Sequence, residues 1–150
     1  MSSQKVSEYK KGDLIFREGA VDPVLYDMAY GTVGIIKDYG LSSEVKIGEI
    51  REGFFGENGL LENEARNATA VALEDTGVIK LDADAVKDYF VENPVKLDVL
   101  LQGVSTHIRE ADKKYIRACE LIDKYYAAEN KGEQADPAVI DSMRKLINTK

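Results

Sequence analysis

Phe54-Phe55-Gly56-Glu57-Asn58-Gly59-Leu60-Leu61, followed by Arg66-Asn67-Ala68-Thr69-Ala70, carries the reading of this chain. The segment holds a glycine turn, a carboxylate, a short apolar helical start and one arginine. A turn that opens a helix leaves main-chain N–H groups unpaired, and these can receive an anion. The planar fork of Arg66 matches a phosphate. Glu57 supplies an acceptor for hydroxyls. A phosphate cradle beside a hydroxyl acceptor points to a nucleotide.

FGENGLLENEARNATA, residues 55–70, resembles the phosphate-binding cassette of cyclic nucleotide-binding domains. The resemblance extends upstream through YKKGDLIFREGAVDPVLYDMAYGTVGII, Tyr9 to Ile36, which is similar to that family's opening strands. Gly12, Gly19, Gly31, Gly53 and Gly56 fall where the family places its turn glycines. In all it covers roughly residues 8–90. The resemblance implies a jelly roll in which Arg66 pairs with a cyclic phosphate and Glu57 accepts from the ribose 2′-hydroxyl. It marks Gly56, Glu57, Asn58, Gly59, Arg66, Asn67 and Ala68 as the ligand-binding set, with cAMP or cGMP as the ligand. Three positions depart from the pattern. Glu64-Ala65 stands where the family usually has a proline shortly before the arginine, Asn58 replaces an apolar residue, and Asn67 offers an amide in place of a hydroxyl. Val71 and Ala72 read equally as an apolar wall for the ligand or as core. In the family a residue of the long helix often closes over the base, and polar positions from Gln102 to Thr106 are the candidates here.

A formal net charge of −7 argues against a nucleic-acid surface and against anionic membranes. A small anion remains compatible, because a few amides and one arginine act locally. The single cysteine, Cys119, excludes an intrachain disulfide. The opening MSSQKVSEYKKG lacks an apolar signal core, and no apolar run is long enough to span a membrane. A cytoplasmic protein is expected. His107, the one histidine, reads as a helix-surface residue, and no metal or catalytic constellation emerges, so the expectation is a non-enzyme without a metal.

Residues 1–7 read as a polar lead. From Tyr9 to about Lys80, short β-rich runs alternate with turn residues, as in a sandwich or jelly roll. The expected β-roll spans 8–92, with a short helix over Asp84–Phe90 stopping before Pro94. The period then changes. Leu97, Leu101, Val104, Ile108, Ala111, Tyr115, Ala118, Ile122 and Tyr125 are spaced alternately by four and three residues. This is an a/d seam of about four heptads on a helix expected over 95–127. It predicts a homodimer, or else docking of the helix on its own roll. Asp136-Pro137 is an N-cap followed by proline at the first helical position, and opens a terminal helix over 136–148 with Ile140, Met143 and Ile147 in one stripe.

Two functions fit this sequence. One is a sensor that binds a cyclic mononucleotide and signals through dimer geometry or a protein partner. The other is a dimeric scaffold with a degenerate pocket. In the regulators the chain resembles, the long helix leads into a helix-turn-helix domain. About two dozen residues follow the long helix here, and a DNA-binding unit needs about three helices. No DNA binding is expected.

Overall fold

The computed structural model describes the backbone of residues 4–148 and the side chains of residues 4–145. The described chain is mainly β, with eight strands in two four-stranded antiparallel sheets and a C-terminal helical part. The strands are β1 (Val6–Tyr9), β2 (Leu14–Phe16), β3 (Leu25–Tyr30), β4 (Val33–Lys37), β5 (Val45–Ile50), β6 (Phe54–Phe55), β7 (Thr69–Ala72) and β8 (Thr76–Leu81). The helices are α1 (Glu57–Glu62), α2 (Ala85–Glu92), α3 (Pro94–Asn130) and α4 (Pro137–Asn148). One sheet runs β1-β8-β3-β6 and the other β2-β7-β4-β5. This is the expected double-sheet jelly roll followed by a long helix and a short one. The first strand begins inside the expected polar lead, at Val6. Residues 1–3 of that lead lie outside the described residues.

The core follows from the two-residue period of the strands. Tyr26 and Met28 of β3, Phe55 of β6 and Val78 of β8 meet Ile15, Val33 and Ala70 of the opposite sheet. The other face of β3 carries Leu25 and Asp27. Leu25 and Leu81 there pack with Tyr89 of α2, and Phe54, Phe90 and Leu100 join them. Gly31 makes the β3–β4 turn with φ of 92°. A Cβ there would come within 2.4 Å of Thr76 Oγ1 and 2.7 Å of the Asp75 carbonyl, so the position admits no side chain.

Asp27 is fully buried on this second face. It accepts a 2.5 Å hydrogen bond from the Tyr89 hydroxyl of α2. Its other partner is the Lys96 ammonium in the first turns of α3, at 2.8 Å. Burial, and next the hydrogen bond to Asp27, push the Tyr89 hydroxyl well above the usual tyrosine range. One carboxylate therefore ties β3, α2 and the start of α3 together.

The chain divides into two compact units, one ending at Gly103 and one beginning at Val104. The boundary falls within α3, whose helical hydrogen-bonding runs unbroken from Pro94 to Asn130. Gly103 has open space where a Cβ would lie. In the second unit, α3 ends at a turn in which Gly132 takes φ of 70° and its N–H donates to the Glu129 carbonyl. Asp136 Oδ1 then accepts from the Ala138 N–H, capping α4 as its position before Pro137 predicts. Leu121 of α3 is buried, and Ile140 and Met143 of α4 are half-buried. Ile147, the third member of the expected stripe, lies outside the described side chains. On the predicted seam, Leu101, Ile108, Tyr115 and Ile122 are 58%, 58%, 71% and 43% exposed. Among the described residues no helix is long and apolar enough to cross a membrane.

Candidate functional site

The turn after β6 begins with Phe55, whose ring lies stacked on Tyr26 at 5.0 Å between centroids. Gly56 follows in the left-handed region, φ 80°, and reverses the chain into α1. A side chain there would be strained by conformation and would also lie 2.8 Å from Arg66 Nη1. Gly59, one turn into α1, is buried. A Cβ on Gly59 would stand 2.4 Å from Arg66 Nη1, 2.6 Å from its Cζ and 2.8 Å from the Asp22 carbonyl. The two glycines of the motif therefore make the space that the guanidinium fills.

Arg66 is 5% exposed. A bridge between Val21 and Ala65 sets the backbone of this loop. The Arg66 N–H donates to the Ala20 carbonyl, and its own carbonyl accepts from the Gly19 N–H. The side chain then turns inward. Nη1 donates to the Gly56 carbonyl at 2.8 Å, and Nη2 donates to the Val24 carbonyl at 2.6 Å. Nη2 also faces Asp22 Oδ2 at 3.5 Å. The guanidinium carbon lies 4.2 Å from the centroid of the Phe16 ring, within cation–π range. Its Nε is buried without a hydrogen-bond partner. Such a donor carries a desolvation cost of about 1–3 kcal/mol.

Asp22 is held in turn by the Tyr26 hydroxyl, which donates to Oδ2 at 2.6 Å. Burial, reinforced by this hydrogen bond, raises the Tyr26 hydroxyl well above the usual tyrosine range. Below Arg66 the chain enters β7. Ala68 is buried, while Asn67 is exposed and its carbonyl accepts from Lys37 Nζ at 3.2 Å. Lys37 also pairs with Glu18, and this pairing, together with the Asp38 N–H, holds the Glu18 carboxyl below the usual range. Val71 and Ala72 are buried in β7.

The structure thus gathers Gly56, Gly59 and Arg66 at one point. Glu57 is half-buried at the first position of α1, Asn58 and Asn67 are exposed, and Ala68 lies in the sheet entrance. Sequence reasoning missed Phe16, Asp22, Val24 and Tyr26, which surround the guanidinium. The carbonyl contact of Val24 leaves no trace in residue type. Asp22-Pro23 is legible only as a turn.

The close fit at Gly59 is measurable. Gly59→Ala is expected to lower the unfolding free energy by about 1–3 kcal/mol, the usual cost of overpacking. A urea midpoint unchanged from the parent chain would show that the guanidinium moves aside freely.

Residues 6–93 match the model of the cyclic nucleotide-binding domain, and the chain belongs to that family. A curated relative, the cyclic AMP receptor protein of Thermus thermophilus, is 30% identical over 105 residues, which are 69% of this chain and 49% of the relative. The chain thus spans about half the length of that protein. The crystal structure of the Thermus thermophilus catabolite activator protein superimposes with a TM-score of 0.65 at 22% identity, covering 94% of this chain and 78% of that one. A structure from a cyclic-GMP-dependent signalling pathway that regulates bacterial phytopathogenesis gives a TM-score of 0.56 at 26% identity, covering 71% and 85%.

Proposed function

We propose that this chain binds a cyclic mononucleotide, cAMP or cGMP, at the β6–α1 turn and works as a non-enzymatic regulatory module of the cytoplasm. The observation that supports it is the nearly buried Arg66 guanidinium, its Nε–H unpaired, filling a space that two glycines make for it beside the β6–α1 turn. The donor set suits a singly charged phosphodiester: one planar cation and the main-chain amides that follow Gly56. Arg66 would hold the phosphate and Glu57 would accept from the ribose. Asn58, Asn67 and Ala68 would border the ligand with Gly56 and Gly59. The relatives named for cyclic AMP and for cyclic GMP leave both bases in play.

The output would be a change in dimer geometry or in a partner protein. The exposed seam of α3 is the basis for the homodimer: an apolar stripe of this length is ordinarily covered.

A specific observation favours the second reading, a scaffold with a degenerate pocket. Arg66 already donates to two carbonyls of its own chain and faces its own carboxylate. Titration calorimetry separates the two. Heat with cAMP or cGMP below millimolar concentration is expected, and Arg66→Ala should weaken the binding at least about a hundredfold, as loss of a charge-assisted bidentate contact does. Silence with both nucleotides would leave the scaffold.

A further inference from the structure

We propose that Asp22 is an internal counter-ion that holds Arg66 in reserve and sets the affinity of the site for its anionic ligand. This rests on the reading of the β6–α1 turn as a nucleotide site. The argument begins from charge. A guanidinium this deeply buried needs a compensating anion or a full set of acceptors. Arg66 has two carbonyls, one carboxylate and an unpaired Nε. At 3.5 Å the Asp22 oxygen is a poor hydrogen-bond acceptor but an effective neighbouring charge.

The carboxylate is fixed in this place. Its Oδ2 accepts the Tyr26 hydroxyl, and Tyr26 is itself held in a three-ring cluster with Phe16 and Phe55. Asp22 is also the solvent-reaching member of the pair, with its side chain 30% exposed against 3% for Arg66. An anion approaching from water therefore meets Asp22 before it meets the arginine. Wherever it meets the guanidinium, it shares that cation with Asp22, and the two negative charges repel each other. Asp22 neutralises the empty state and opposes the occupied one. Removing only its charge shifts the balance toward binding.

Asp22→Asn makes that change with little else. The amide oxygen still accepts from Tyr26, and the volume is preserved. The expected result is a Kd for cAMP or cGMP tightened about tenfold, within the range of ordinary coupling between two sites of a protein. The urea midpoint should move the other way, because the ligand-free chain loses a charge partner. Opposite movement of affinity and stability is not what simple structural damage produces. Asp22→Ser serves as a second uncharged variant in case the asparagine form folds poorly.

Calorimetry with both nucleotides on the parent chain and the variants gives separable outcomes. Binding by the parent with tighter binding by the variants supports the counter-ion role. So does binding by the variants alone, which would mean that the parent site is held shut. Binding by the parent with equal or weaker binding by folded variants overturns the role and leaves the nucleotide reading standing. Silence from parent and variants alike, with both folded, overturns both.

Discussion

Lys96→Met is expected to lower the unfolding free energy at neutral pH by about 3–5 kcal/mol, the cost of removing one partner from a buried ion pair. The reason lies in the asymmetry of the pair. The Lys96 side chain is 38% exposed and could reach water without Asp27. Asp27 is fully buried and has no such recourse. Without the ammonium its charge would rest on the Tyr89 hydroxyl alone. Methionine keeps most of the apolar stem, and the ammonium it removes also lies 5.8 Å from the centroid of the Phe54 ring, a cation–π contact worth less than the ion pair. Urea denaturation reads the loss. Adding Asp27→Asn to Lys96→Met should recover more than half of it, because the stranded charge is gone. A single variant within about 0.5 kcal/mol of the parent would mean that water enters and solvates Asp27, and that the tie between β3 and the helices is weak.

Ile108→Glu is expected to convert a dimer into a monomer. Leu101, Ile108, Tyr115 and Ile122 repeat every seven residues and all lie exposed on the single chain. In a paired helix the two copies of position 108 would face each other across the seam. The substitution would then place two carboxylates in a dry interface. Each costs at least about 2 kcal/mol to bury unpaired, so the dissociation constant should rise about a thousandfold or more. Sedimentation of the parent at tens of micromolar should give twice the mass of the variant, with helical circular dichroism unchanged. A parent that sediments as a monomer, or a variant that stays paired, removes the intermolecular seam.

The roll is legible in the sequence because its strands alternate and its turns carry glycines, of which Gly31 and Gly56 are demanding positions in the structure. Two strands escape that reading. Val6–Tyr9 opens a sheet edge with half its residues exposed, and Phe54–Phe55 has only two residues, too few to show a period. The helical part is legible from its heptad spacing and from the Asp136-Pro137 cap. At the site, residue type reveals the glycine pair and the arginine. It does not reveal that the arginine turns inward, since this depends on the Val24 carbonyl, 42 residues away in sequence. Nor does it flag Asp27, an acidic residue in an apolar strand, whose partners Tyr89 and Lys96 lie 62 and 69 residues further on. Contacts of that separation belong to the tertiary fold and leave no local pattern.

Gly103 has an energetic consequence. Within the single chain nothing crowds the place of its missing Cβ. Relative to alanine a glycine costs a helix interior about 1 kcal/mol. Alanine at 103 would therefore meet no obstacle within its own chain and would return a free energy of that order to the helix that carries the apolar seam.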